Sequence, residues 1–282
     1  MPTVSIGVPV YNGIKHISEC LECLVNQTFA DMEIVVLDNA STDGTDKVIK
    51  KFARRDPRVI YKRQPKTVPA LQNFSDVLFA ATGEYFCWRA YDDLSSSDFI
   101  EKLYRKLRDN PGAKLAVGSA VTITDDEPEK LTLAPPQRYP DQPQRDICGL
   151  LFNSHPSTLY GLWHRQTLKE LHSRVMQAYS DPWASDHLLV YPILIDRAIV
   201  FDQNAKFIQR IYASDTRFYG FPDLKNMKKL RKNYFAFCCQ ILDERDFSFF
   251  QRLILKIMTW FQMGKTVAMF RTVLKRTIFR ED

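Results

Sequence analysis

Glu33-Ile34-Val35-Val36-Leu37-Asp38-Asn39-Ala40-Ser41-Thr42-Asp43-Gly44-Thr45 sets an apolar run against an abrupt polar loop. A strand buried on both faces reads as a nearly continuous run of Val, Ile and Leu, so 33–37 is expected to be an interior strand. Residues 38–44 form the polar loop at its carboxyl end, and Val48, Ile49 and Phe52 then fall at helical spacing. Upstream, Val4 to Val10 is a second β-rich run, ended by Asn12-Gly13, and Ile17, Leu21 and Leu24 share one helical face. Downstream, Val59-Ile60-Tyr61 reads as a third strand and residues 69–81 as a helix with Leu71, Phe74 and Leu78 inward. Tyr85-Phe86-Cys87-Trp88 is a fourth strand, Phe99 to Leu107 a helix, and Leu115 to Thr122 a fifth strand. This alternation predicts an α/β fold with a mostly parallel central sheet and helices on both faces. Ligands of such sheets sit at the carboxyl ends of the strands, where the polar loops after strands one, two and four would converge.

The rest of the chain is less regular. Residues 125–146 are rich in Pro, Asp, Glu and Gln and read as a loop or lid. The chain resumes at Ser157 to His164, with a helix from about Gln166 and an apolar helical run from Asp186 to Ile195. Val200 and Phe207 to Tyr212 are expected as late strands. Two parts are expected: a catalytic domain over 1–222 and a basic amphipathic helical C-terminal extension over 223–282.

Composition narrows the class. The chain has 282 residues, 45 % of them apolar, enough for a real core without staples. The formal net charge is +6, but residues 224–282 hold thirteen Lys and Arg against five Asp and Glu. A local excess of that kind beside apolar residues points to a surface that meets something acidic. Six cysteines lack an even framework, and Met1-Pro2-Thr3 runs straight into a strand, so reduced thiols and a cytoplasmic location are expected. Cys20 and Cys23 form a CxxC with no partner pair nearby, which argues against zinc.

Three elements carry the chemistry: Pro9-Val10-Tyr11-Asn12, the loop from Asp38 to Thr45, and Gly83 to Asp93 across the fourth strand. In this order and spacing they resemble the family 2 glycosyltransferases of GT-A fold, from about Val4 to Phe99 and more weakly to about Tyr212. The resemblance implies a nucleotide-sugar donor held by Pro9, Tyr11, Asn12, Asp38, Asn73 and Asp92. A carboxylate at a strand end suits a base N–H or ribose hydroxyls, which is Asp38's expected task. Asn39 stands where many relatives have a second Asp. Asp43-Gly44-Thr45 reads as a turn and helix cap.

A departing diphosphate needs a counter-charge, which a divalent cation supplies, and oxygen ligands suit Mn²⁺ or Mg²⁺. Asp92-Asp93 resembles the family's acidic metal site, with Asp92 the direct ligand and Asp93 secondary; the first Asp of the usual motif is Ala90. Inversion at the anomeric carbon needs a general base. The resemblance places it in Asp181-Pro182-Trp183-Ala184-Ser185-Asp186, with Asp186 the choice and Asp181 in reserve. Tyr212 stands where many relatives have a metal-assisting His, and Arg210 is expected to contact phosphate as a fixed cation. Trp88 and Tyr160-Gly161-Leu162-Trp163 are candidates for stacking on acceptor sugar, against core packing.

In the tail, Phe250, Leu253, Ile254, Ile257 and Phe261 share a helical face beside Arg252 and Lys256, and Val267 to Ile278 continue the pattern. Two readings stand: peripheral contact with the inner face of the cytoplasmic membrane, or a helical bundle packed on the catalytic domain or on a second subunit, as in a homodimer. Nucleic acid is not expected as a partner. The whole implies an inverting glycosyltransferase acting on a glycan or lipid-linked acceptor in cell-surface polysaccharide assembly. Its rivals are a nucleotidyltransferase, and a catalytically degenerate relative that binds donor or scaffolds a complex. The first would show a Gly-rich phosphate loop near strand one, which Val8 to Gly13 lacks; the second draws on Asn39, Ala90 and Tyr212.

Overall fold

A computed structural model describes residues 1–125, 132–133, 147–153, 156–179, 184–212 and 224–266. The chain divides into two compact units. The first comprises 1–137, 157–170 and 198–214; the second comprises 138–156, 171–197 and 215–282.

The sheet lies in the first unit. Its strands are β1 (Val4–Val10), β2 (Met32–Asp38), β3 (Val59–Arg63), β4 (Tyr85–Trp88), β5 (Leu94–Ser95), β6 (Leu115–Thr124), β7 (Thr132–Leu133), β8 (Leu162–His164) and β9 (Ile199–Ile211). Their order is β3-β2-β1-β4-β8-β6-β9-β5, with β7 on β6. The long ladders, β1 with β2, β2 with β3, β1 with β4 and β6 with β9, are all parallel. The antiparallel ladders pair only two residues each. β1 and β2 are buried along their whole length, and Ser5 and Glu33, polar residues within this core, are joined by a 2.6 Å hydrogen bond from the Ser5 hydroxyl to Glu33 Oε1. Pro9 is tolerated on interior β1 because the ladder to β4 ends at Gly7, so no β4 carbonyl awaits a Pro9 N–H.

Between the strands run α1 (Ile17–Val25), α2 (Thr45–Arg55), α3 (Ala70–Ala80) and α4 (Phe99–Arg108). α1 buries Ile17, Leu21 and Leu24 as the spacing predicts. α3 differs in detail: Asn73, Val77 and Leu78 face inward, while Leu71 and Phe74 are only half buried. The polar Asn73 takes an inward place because its amide is satisfied there. The late strands read as separate are one, β9, and the two-residue β5 that pairs with it is too short to carry a periodic signal. β9 stays continuous by an irregularity: its register against β6 jumps from Asp202 to Lys206 between Gly118 and Ser119. Gly118 permits this, since a Cβ there would lie 2.2 Å from the Ala205 carbonyl oxygen. A 3₁₀ turn, Pro156–Tyr160, precedes β8.

In the second unit the described elements are helices: α5 (Ile147–Asn153), most of α6 (Arg165–Ala178), α7 (Ser185–Ile195), α8 (Leu224–Asp243) and α9 (Phe249–Thr266). α7 is apolar on nearly every side and is buried from Leu188 to Ile195. Most of the 125–146 loop, Asp181 to Trp183 and the tail beyond 266 lie outside the described residues.

Candidate functional site

Two loops at the carboxyl ends of β1 and β2 are stitched to one another. The Asn12 amide donates to Ser41 Oγ at 2.9 Å, and the Thr42 amide donates to Asn12 Oδ1 at 2.9 Å. The Gly13 amide donates to Thr45 Oγ1 at 2.9 Å and the Ile14 amide to Asp43 Oδ2 at 3.0 Å. Asp43 also accepts from the Thr45 amide and hydroxyl, so it organises the turn into α2. Asn12 (φ 48°) and Ala40 (φ 59°) both adopt left-handed backbone. For Ala40 this costs about 1–2 kcal/mol, a strain that surrounding structure must hold.

Asp38 is fully buried at the end of β2. It forms an ion pair with Arg63, accepts from Tyr61 Oη at 3.2 Å and from the Ser41 amide at 2.9 Å. Arg63 is its direct neighbour in the β2–β3 register and also donates to the Ser41 carbonyl at 2.8 Å. Asp38 therefore sets the loop's shape as well as its charge. Asn39 shows why an amide serves here: its Nδ2 donates to the Val68 carbonyl, and the Val68 amide donates to its Oδ1, both at 2.8 Å. An Asp could do only the second. Asn73 donates to the Leu37 carbonyl at 3.1 Å and ties α3 to β2. Tyr11 stands 46 % exposed beside these loops.

The acidic pair lies on the turn after β4, closed by the Asp93 amide donating to the Ala90 carbonyl at 3.1 Å. Thus Ala90, in the place of the motif's first acid, contributes its backbone. Asp92 is buried but for 8 % of its surface and accepts from Tyr212 Oη at 3.0 Å. Asp93 lies deeper, and its Oδ1 accepts from the Arg210 amide at 2.9 Å. Burial first, and then the neighbouring Asp92 charge, push the Asp93 carboxyl up to about 7; the Arg210 amide and the charges of Arg89 and Arg210 hold it back.

Arg210 is held on three sides. Its guanidinium donates to Glu19 Oε2 at 2.7 Å, to Asp125 Oδ1 at 2.9 Å and to the Asp92 carbonyl at 3.2 Å. It is a structural cation beside the acidic turn, in contact with carboxylates of α1 and of the end of β6. His16 caps this cluster: its ring packs edge-on against Tyr212 at 5.9 Å, and burial foremost lowers its pKa. Behind the turn, Arg89 is fully buried between the rings of Phe99 and Phe207, 5.2 and 5.0 Å from their centroids.

Sequence reasoning did not reach His16, Glu19, Asp125, Arg63 or Arg89. Arg63 was reachable, because aligning the β2 and β3 runs puts it opposite Asp38. Arg89 shows no motif: its guanidinium donates to the nearby Leu94 carbonyl and lies between the Phe99 ring and the distant Phe207 ring, a placement set by packing. Of the aromatic candidates, Trp88 is 1 % exposed with Nε1 donating to the Phe74 carbonyl at 3.0 Å, and Trp163 is fully buried. Both are core residues and present no face to a sugar. Cys20 and Cys23 pack under the acidic turn as free thiols.

In the second unit, Asp186 sits half buried in the first turn of α7. It is not the cap: that place is taken by Ala184, in left-handed backbone with φ 61°. An acid in a first turn is favoured by the helix dipole. His172 is buried in α6, where burial lowers its pKa.

A parallel half-sheet with polar loops after β1, β2 and β4, and an acidic turn at the end of β4, defines the GT-A class of nucleotide-diphospho-sugar folds. The profile of glycosyl transferase family 2 matches residues 5–161. The chain belongs to glycosyl transferase family 2. It is 31 % identical over 125 residues to the glycosyltransferase GlyA of Streptococcus pneumoniae, covering 44 % of this chain and 18 % of that protein. It is 28 % identical over 152 residues to the putative glycosyltransferase EpsH of Bacillus subtilis, covering 54 % of this chain and 43 % of that one. The chain thus spans under half the length of these relatives. Among solved structures, S. aureus TarS 1-349 in complex with UDP-GlcNAc shares the fold with a TM-score of 0.74 at 14 % identity, covering 98 % of this chain and 76 % of that one. A mannosyltransferase of Pyrobaculum calidifontis, in complex with GDP-Man and Mn²⁺, gives 0.56 at 17 %, covering 95 % and 73 %.

Proposed function

We propose that the chain is an inverting glycosyltransferase that moves a sugar from a nucleotide-diphosphate donor to a hydroxyl of a glycan or lipid-linked acceptor. The observation that carries this is the acidic turn of Asp92 and Asp93 beside the interlocked loops of Asn12 and Asp38. Cell-surface polysaccharide assembly is the setting this reading carries over from the family resemblance. A lipid-linked acceptor accords with peripheral membrane contact through the extension over 223–282, on the inner face of the cytoplasmic membrane.

The base and ribose of the donor are assigned to the loops around Pro9, Tyr11, Asn12 and Asp38, with Asn73 fixing the second loop from beneath. Arg210 contributes positive charge, and its guanidinium serves the turn first.

A divalent cation fits this chemistry in a limited way. Among the described residues no cluster of three or more His, Cys, Asp or Glu forms a ready cage. Mg²⁺ and its like need no cage, because one or two carboxylates with water and substrate phosphates suffice. Asp92 is the ligand assigned, with Asp93 secondary because its carboxyl holds a proton up to about pH 7. Bound there, Mn²⁺ or Mg²⁺ would neutralise the diphosphate as it leaves. Asp186 is assigned the general base that takes the acceptor's proton.

Donor hydrolysis with Mn²⁺, on wild type and Asp92→Ala, tests the reading. Turnover lost only in the variant supports it. Nucleotide binding without turnover of any donor in either protein would favour a degenerate, donor-binding scaffold. A thermal-shift screen of UDP, GDP, CDP and dTDP identifies the base, because the bound nucleotide raises the melting temperature.

A further inference from the structure

α9 has its polarity reversed. Its packed side carries Leu255, Thr259, Gln262 and Met263, none more than 5 % exposed. Thr259 shares a 2.7 Å hydrogen bond with Tyr191 Oη, and Gln262 Nε2 donates to the Leu151 carbonyl at 2.9 Å. Its outer side presents Phe250, Leu253, Ile254, Ile257, Trp260 and Phe261, each between 45 and 74 % exposed. Steps of three and four residues put these six on one stripe. Single exposed apolar residues are ordinary, whereas a contiguous row marks a surface that meets something. α8 behaves differently: Leu230, Tyr234, Phe237, Cys238 and Ile241 are all buried, so its apolar face is spent within the unit.

Charge identifies the occupant. α8 carries Lys225, Lys228, Lys229, Arg231 and Lys232 with no acid before Asp243. The sequence after Trp260 adds Lys265, Arg271, Lys275, Arg276 and Arg280 with no acid before Glu281. Two of the three acids around the α8–α9 turn are paired: Asp243 lies 2.9 Å from Lys256 Nζ, and Glu244 lies 2.6 Å from Arg174. A second copy would set one basic excess against another, whereas an anionic surface meets both the cations and the row. Aromatic and aliphatic side chains flanked by Lys and Arg suit the headgroup layer of a bilayer. No helix among the described residues is long and apolar enough to cross a membrane. We infer that the outer row of α9 lies in the surface of an anionic lipid bilayer, with α8 held above it by the α9 packing. This rests on the reading that residues 223–282 meet a membrane, and it locates that contact.

The test is flotation of the full chain with phosphatidylcholine vesicles, alone or with about a third phosphatidylglycerol. Wild type is expected to float with the anionic vesicles, less so in high salt, with a blue shift of Trp260 emission that Trp260→Phe removes. A triple variant, Leu253→Ser with Ile257→Ser and Trp260→Ser, should lose binding by about tenfold or more. Its melting temperature and its stabilisation by nucleotide should match wild type, because the row is exposed. Failure of wild type to float with anionic vesicles overturns the inference, as does equal flotation of the triple variant. So does light scattering that shows a wild-type dimer which the triple variant breaks, because a second copy then covers the row. Absence of stabilisation by any nucleotide would instead count against the glycosyltransferase reading and leaves the vesicle result to stand by itself.

Discussion

The backbone amide of Arg210 on β9 donates to the Asp93 carboxylate at 2.9 Å, tying the last long strand to the turn that carries the acidic pair. Main chain holds this bond, so it survives a change of the Arg210 side chain. Burial, and then the neighbouring Asp92 charge, still raise the Asp93 carboxyl from 3.8 to about 7 against the pull of this bond.

A raised carboxyl pKa makes the folded state bind protons more tightly than the unfolded chain. Stability from this group is therefore whole below about pH 4 and lost as pH rises towards 7. Asp93→Asn keeps an oxygen for the Arg210 amide and removes the titration. Thermal melts in chelator from pH 4 to 8 should show the variant gaining on wild type as pH rises. Parallel melting curves for the two proteins would show that Asp93 ionises as freely folded as unfolded.

Tyr212 donates to Asp92 Oδ2 at 3.0 Å and packs on His16. A group that orients a metal-binding carboxylate tunes affinity more than turnover. Tyr212→Phe should raise the Mn²⁺ concentration for half-maximal activity by about tenfold while leaving kcat at saturating metal within about twofold. A fall in kcat at saturating metal with no change in the metal requirement would place Tyr212 elsewhere in the chemistry.

These two contacts show how far the sequence could be read. β2 was legible because a strand buried on both sides leaves a nearly continuous Val, Ile and Leu record, and β1 and β4 because each is a short β-rich run followed by a polar loop. The acidic turn was legible because Asp92-Asp93 stands only a few residues past the end of β4. The clamp on Arg210 was not, since Glu19, Asp125 and Arg210 meet only after α1, β6 and β9 have been folded together. Nor was β5, whose two residues pair with Phe207 and Ile208 over a hundred residues on. Trp88 misled for the opposite reason, since an aromatic residue looks the same in sequence whether it lines a site or fills a core; for Trp163 core packing is the favoured reading, and it is fully buried.

In the proposed reading Asp38 serves fold and ligand together, so its substitution should register twice. Asp38→Asn removes the charge facing Arg63 but keeps an acceptor for the Ser41 amide. Arg63 is 38 % exposed and can be rehydrated, which holds the cost to about 1–3 kcal/mol. Denaturant unfolding should show a lower midpoint with an unchanged slope, and nucleotide affinity should fall by more than that loss of stability accounts for. Unchanged affinity in a folded variant would restrict Asp38 to the loop's architecture.

As the proposed general base, Asp186 would separate chemistry from donor binding. Its carboxylate stands in the first turn of α7 without capping it, so the helix does not need it for its backbone hydrogen bonds. Its loss should cost the fold no more than the dipole interaction, about 0.3–1 kcal/mol. If it takes the proton from the acceptor hydroxyl, Asp186→Asn should lower transfer by about 10²–10⁴-fold. Stabilisation by the donor nucleotide should stay at the wild-type value, because the loops assigned to the donor follow β1, β2 and β4. The decisive readout is that pair of measurements taken on one preparation. Transfer near the wild-type rate would remove Asp186 from the reaction and turn attention to Asp181. Loss of both transfer and nucleotide stabilisation in a protein that still melts cooperatively would make it a donor-site residue instead.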